Sequence, residues 1–246
     1  MIIVTGSIAY DYIMDFPDSF GKHILPDQIH KINVSFLVNK FARRRGGTAG
    51  NLSYSLGLLE TPHILFGVAG KDFQEYAKAF NDLKISLKNV VIDKTEYTST
   101  GFGMTDKNNN QIWGYFPGAL NKTKNLRIKK VAKKKDMVHI GPCGVAGTVS
   151  LIRQCVKSKI PYILDLGFTA TQLSTKDLEL GIKNAKYLIG NDYEITFAKK
   201  KIKNWIDIVK DKIIVTTLGN KGALIETPKE SYRIPIAKPK AIVDPS

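Results

Sequence analysis

Six short apolar segments, residues 2–5, 63–69, 137–141, 161–166, 187–190 and 213–218, recur along the chain with helical patterns between them. Strands separated by helices bury their apolar side chains best in a parallel sheet covered on both faces, so this alternation predicts a doubly wound, mostly parallel α/β fold. Helical spacing runs from Gly50 to Leu59 and from Val145 to Lys157. In the second, Val145, Val149, Ile152 and Val156 predict one apolar stripe against the sheet. Two stretches break the pattern. Residues 10–40 are rich in aromatics and proline, and residues 97–117 read as two β segments around a polar Asp-Lys-Asn-Asn-Asn turn. Together they predict a small β lid on one domain spanning residues 1–246, with no linker or internal repeat.

Of the 246 residues 43% are hydrophobic, enough for a substantial core, and no apolar run approaches the ~20 residues a membrane helix needs. With no signal-peptide pattern at MIIVTGSIAY, a cytoplasmic enzyme without membrane association is expected. Cys143 and Cys155 are the two cysteines, and the four histidines are scattered, so buried free thiols and no zinc site are expected. The net charge of +15 raises nucleic-acid binding. The lysines fall in short runs (129–130, 133–135, 199–201) without a recognition module, which reads as solvated surface and makes a nucleic-acid partner the weaker expectation.

Arg45-Gly46-Gly47-Thr48-Ala49-Gly50-Asn51 precedes a helical pattern, and paired glycines there let backbone amides approach a hydroxyl-rich or anionic ligand at a helix start. A plain turn gives the same pattern. Asp11 follows the first strand, where an open α/β sheet lines its ligand crevice; a carboxylate there suits a vicinal diol, or caps a turn. Asn191-Asp192-Tyr193-Glu194 follows a strand and opens a helix, as hard oxygen neighbours for a hydrated Mg²⁺-phosphate or as a helix cap. Val215-Thr216-Thr217-Leu218-Gly219-Asn220-Lys221-Gly222 runs from a strand into a glycine-spaced turn, suited to nucleotide phosphates or to a hairpin. Gly141 to Gly147 lacks the register of a dinucleotide site and Gly67 to Asp72 that of a P-loop, so both read as strand-to-helix turns.

In this order the pieces resemble the ribokinase/PfkB carbohydrate-kinase superfamily. GGTAGN followed by FGVAGKD resembles its N-terminal signature, NDYE its N-x-x-E motif and TTLGNKG its nucleotide loop. VTGSIAYDYIMDFPDSF, ILPDQIHKINVSFLV and YFPGAL resemble bacterial adenosine kinases of the mycobacterial type. The resemblance implies a ribokinase-like sheet with a β lid and ATP- and Mg²⁺-dependent phosphoryl transfer, with K⁺ as a further cation, to the 5′-hydroxyl of a nucleoside. By position, Ser7, Asp11, Ser35, Gly46, Gly47 and Asn51 would hold the sugar, and Tyr115, with Phe102 near a second such position, would stack on the base. Glu194, through water, and Asn191 would organise Mg²⁺ and phosphate, while Thr217, Gly219 and Gly222 would lie along ATP. The family often dimerises through its lid, so a homodimer is expected.

Two departures follow. Asp165-Leu166-Gly167-Phe168-Thr169 stands where such adenosine kinases carry Asp-Pro-Gly/Ser-Gln-Gln, which leaves a sugar, or a sugar phosphate, as the alternative acceptor, or a nucleoside-binding role without catalysis. The family's Gly-Ala-Gly-Asp catalytic segment follows a sequence like Asp244-Pro245-Ser246, the last three residues here. The expectation is that the base and the C-terminal part of the fold lie beyond Ser246, and that these 246 residues alone transfer phosphate negligibly.

Overall fold

The β-branched run Ile-Ile-Val-Thr forms strand β1 (Ile2–Thr5), and the other predicted strands also form with ends shifted by a residue or so, except that the segment 63–69 divides in two. A computed structural model describes residues 1–238, and the chain divides into two compact units: Val4–Leu126, and Met1–Ile3 with the chain from Arg127 onward. The four lid strands fall within the first unit. Asp244, Pro245 and Ser246 lie outside the described residues.

In the first unit the elements are β2 (Ala9–Asp15), β3 (Lys40–Gly46), α1 (Thr48–Leu58), β4 (His63–Leu65), β5 (Gly67–Ala69), α2 (Gln74–Asp82), β6 (Val90–Ile92), β7 (Ser99–Thr105) and β8 (Gln111–Phe116). The lid is a four-stranded sheet in the order β3-β2-β7-β8, with β2 and β7 parallel and the outer pairs antiparallel. The Asp-Lys-Asn-Asn-Asn turn joins β7 to β8 as predicted. Asp106 holds it by accepting from the backbone N–H groups of Asn108 (2.8 Å), Asn110 (2.9 Å) and Phe20 (3.0 Å). Residues 20–31 form short 3-10 turns instead of strands, closed over a cluster of Phe16, Phe20 and Phe36 rings. The single strand expected over 63–69 is two strands: after β4, Phe66 N–H donates to Val4 C=O, and β5 then pairs with β6.

In the second unit follow β9 (Met137–Ile140), α3 (Val145–Ser158), β10 (Tyr162–Asp165), α4 (Thr169–Gln172), α5 (Thr175–Asn184), β11 (Tyr187–Asn191), α6 (Asp192–Lys201), α7 (Trp205–Val209), β12 (Ile213–Thr217), β13 (Ala223–Glu226) and β14 (Ser231–Ile234). Strands β9 to β12 are parallel, and β13 and β14 add an antiparallel edge. Helix α3 forms where predicted but is rotated: it buries Thr148, Leu151, Ile152 and Cys155, while Val145 is exposed. Gly147 and Thr148 are small enough to bring that face inward, and burying Leu151 and Ile152 contributes roughly 1.5–3 kcal/mol each. Cys143 and Cys155 are both buried thiols, as expected. The run Lys199, Lys200 and Lys201 closes the last turn of α6, where cations oppose the helix dipole favourably. Among the described residues no helix is long and apolar enough to cross a membrane.

Candidate functional site

The Gly46-Gly47 step turns β3 into α1, and Ser7 is what receives it. Ser7 Oγ accepts from Thr48 N–H at 3.0 Å and its carbonyl accepts from Ala49 N–H at 2.9 Å, so the helix start is capped from the end of β1. Gly47 has φ +87°, and a Cβ there would lie 2.6 Å from Ser7 O, so both backbone conformation and space require glycine. Gly46 is buried, and its missing side chain is where the Asp11 carboxylate lies. Tyr76 on α2 fixes the same turn from behind by donating its hydroxyl to Gly46 C=O at 2.8 Å. Ser7, Asp11, Gly46 and Gly47 are thereby brought together. Asn51 is exposed on the first turn of α1, and Ser35 is exposed in the segment ahead of β3.

On the lid, register decides which side chains meet. Arg44, Asp11, Gly101 and Tyr115 lie in one row across β3, β2, β7 and β8 and therefore on one face. A Cβ on Gly101 would come within 2.8 Å of Asp11 Oδ1, 3.2 Å of Trp113 Cζ3 and 3.3 Å of Tyr115 Cε1, so the absent side chain clears a space bounded by a carboxylate and two rings. Tyr115 is 74% exposed. Burial first, and then the Asp11 charge, raises its hydroxyl pKa. Phe102 is not brought to this space: strand alternation turns it to the opposite face, where it stacks on Tyr12 at 5.2 Å.

The second unit carries the other candidates at the carboxyl ends of its parallel strands. Asn191 ends β11 and pairs in register with Thr217, which ends β12. Asn191 and Glu194 form a capping box: Asn191 Oδ1 accepts from Glu194 N–H at 2.8 Å, and Glu194 Oε2 accepts from Asn191 N–H at 2.9 Å. The pair thus caps the N-terminus of α6. Burial chiefly, and the neighbouring Asp165 charge, push the Glu194 carboxyl above its ordinary range. Asp165 faces the buried His139, with Nε2 to Oδ2 at 3.6 Å. Gly219 (φ +56°) and Gly222 (φ +86°) shape the β12–β13 hairpin, and the space beside Gly219 is open. Of the departing segment, Thr169 is buried with its hydroxyl on Leu166 C=O at 2.8 Å, whereas Phe168 is exposed.

Arg44, Gly101, Trp113, Tyr76, His139 and Asp165 were not assigned from the sequence. Alternation in β7 and β8 was the available signal for Gly101 and Trp113; Tyr76 and His139 depend on packing between distant segments. A cavity of about 650 Å³ lined by Gly57, His63, Asp82 and Ile85 contains none of the candidate residues.

The sequence model for the pfkB family carbohydrate kinase matches residues 2–246. A nucleoside kinase of Methanocaldococcus jannaschii is 26% identical over 252 residues, covering 100% of this chain and 78% of that protein. Among solved structures, Burkholderia thailandensis nucleoside kinase in complex with inosine aligns with a TM-score of 0.87 at 30% identity, over 100% of this chain and 79% of that one. The same enzyme in complex with ADP-inosine aligns with a TM-score of 0.83 at 32% identity, over 99% and 77% of the two chains.

Proposed function

The chain belongs to the pfkB family of carbohydrate kinases, and on that footing we propose that it directs the γ-phosphoryl group of ATP to the 5′-hydroxyl of a nucleoside, with adenosine and inosine the first acceptors to test. One observation carries the choice of a nucleoside over a plain sugar: the Asp11 carboxylate and the exposed Tyr115 ring share one face across Gly101. A carboxylate accepts from vicinal hydroxyls through charge-assisted bonds, while a ring presents a stacking surface that a sugar alone does not need. The relative solved with inosine supports the same acceptor class.

In this reading Ser7, Gly46 and Gly47 give the acceptor side its shape, and Asn51, Ser35 and Asp11 supply polar groups. Thr217, Gly219 and Gly222 line the ATP side. Mg²⁺ supplies charge neutralisation at the phosphates when bound. The donor set fits it: Glu194 and Asp165 are neighbouring carboxylates whose mutual repulsion a hydrated hard cation relieves, and Asn191 adds an amide. The base that takes the hydroxyl proton is not assigned among residues 1–246. The lid face opposite Asp11 exposes Phe41, Phe102, Ile112 and Phe116, which supports a homodimer through the lid.

Calorimetric titration with adenosine, inosine, ribose and fructose 6-phosphate, with and without an ATP analogue, tests the reading. Nucleosides are expected to bind at least about ten-fold more tightly than ribose, the ring adding roughly 1–3 kcal/mol. Equal or tighter binding of ribose or fructose 6-phosphate overturns it in favour of a sugar acceptor.

A further inference from the structure

Trp113 lies opposite Gly103 in the β7–β8 register, on the face that carries Asp11 and Tyr115. A Cβ on Gly103 would come within 2.6 Å of Trp113 Cη2 and Cζ2, so the indole lies flat over backbone where any other residue would lift it. Its Nε1–H donates to Gln111 Oε1 at 3.1 Å, which fixes the ring in its plane. The Tyr115 ring stacks on it with planes 6° apart and centroids 5.6 Å apart. Trp113 is half-buried and Tyr115 exposed, so the indole is the supported layer and the phenol the presented one.

We propose that Trp113 is a positioning residue for the acceptor site, holding the Tyr115 ring at a set height and tilt so that a planar base meets a preorganised surface. The inference rests on the nucleoside reading given above. A tyrosine at this exposure without a neighbour turns freely about two side-chain bonds, and ordering it on binding costs affinity. Gly103 and Trp113 lower that cost together, because the glycine makes the flat indole sterically allowed and the indole restricts the phenol. Trp113 also borders the space over Gly101, so its emission reports on whatever fills it.

The test compares inosine and ATP affinities by calorimetry for the full chain and for W113A, W113F, G103A and Y115A, together with Trp113 fluorescence. W113A and G103A are each expected to raise the inosine dissociation constant about five-fold, within the range an aromatic pair supplies, with ATP affinity unchanged. W113F, which keeps a stacking ring, is expected to stay within about two-fold of the parent. Inosine should shift the emission of the parent and leave W113F without that shift. G103A removes no aromatic group, so it carries the test if W113A fails to fold. Unchanged inosine affinity in W113A or G103A, while Y115A weakens it, overturns this inference and leaves the nucleoside reading intact. Equal losses for inosine and ATP overturn it in favour of a merely structural indole. Unchanged affinity in Y115A as well brings down the nucleoside reading itself.

Discussion

The carboxylate of Asp11 and the ring of Tyr115 border the same cleared space over Gly101, one from β2 and the other from β8. A carboxylate bordering that space can accept from the hydroxyls of a ligand that enters it. Asp11→Ala is expected to raise the nucleoside dissociation constant about ten-fold or more, since leaving hydroxyl partners without a charged acceptor costs roughly 1.5–3 kcal/mol. Asp11→Asn should lose less, and ATP affinity should hold in both. Calorimetry checks the affinities and circular dichroism the fold. An unfolded Asp11→Ala protein would show that the residue caps the turn instead.

Tyr76 and Gly46 make the second prediction. The Tyr76 hydroxyl is buried, donates to Gly46 C=O, and occupies the volume beside Gly50 where a side chain would otherwise stand. Tyr76→Phe leaves that carbonyl buried without its donor, at a cost of about 1–3 kcal/mol. Urea denaturation should register the loss as a lower midpoint at unchanged slope, and nucleoside affinity should fall because the glycine turn loosens. An unchanged midpoint would mean that water takes over the carbonyl. Gly50→Ala, which drives a methyl into the hydroxyl, is expected to be worse than Tyr76→Phe.

The main sheet was legible because β-branched runs such as Ile2–Thr5 and Ile213–Thr217 carry their own signal, and so was the Gly46-Gly47 turn, because only glycine satisfies it. Strand β3 was not legible. Its Arg43, Arg44 and Arg45 look like a charged loop until the partner strand is known, when Arg43 proves to lie over the Tyr10 ring at 3.8 Å and to pair with Glu75. The stripe of α3 was legible only in part: Ile152 is buried as expected, but tertiary packing turns the helix so that Thr148, Leu151 and Cys155 join it and Val145 is exposed. Phe102 stands one residue from Gly101, and in a strand one residue exchanges the two faces, so its side chain lies opposite Asp11 and Tyr115. The Asp11–Tyr115 relationship needed the β2–β7 parallel pairing, which joins segments some ninety positions apart and has no local signature.

Asp106 predicts how the lid responds to acid. Burial works to raise this carboxyl, yet donors from Asn110, Phe20 and Asn108 outweigh it and bring it from an ordinary 3.8 to about 2. A depressed carboxyl contributes stability that is complete above its unfolded pKa and is lost as pH falls through the folded one, here between about 4 and about 2. Amide hydrogen exchange at residues 106–110 should therefore be slow and constant at pH 5 to 7, after correction for the intrinsic rate, and accelerate below pH 4. Asp106→Asn should open the turn already at neutral pH and flatten the acid dependence. Superimposable profiles for the two proteins would remove Asp106 as the anchor.

Glu194 gives a test that separates capping from phosphate chemistry, because its two duties depend on different properties. The capping box needs an acceptor at Oε2 for Asn191 N–H, which glutamine also offers; a role beside Mg²⁺ and phosphate needs the negative charge. Glu194→Gln is expected to leave stability within about 0.5 kcal/mol while Mg-ATP affinity falls about ten-fold. Asn191→Ala is expected to cost about 1 kcal/mol of stability through the lost N-cap and to change Mg-ATP affinity less. The pH dependence carries the same distinction. The folded pKa of Glu194 is raised, by burial first and by Asp165 next, so its contribution to stability is complete below the unfolded pKa and declines as pH rises through the folded one. Mg-ATP affinity should rise through that same window, since the cation favours the ionised form, and Glu194→Gln should abolish both trends. If Glu194→Gln binds Mg-ATP as tightly as the parent at every pH, the residue is a helix cap and the cation is held elsewhere.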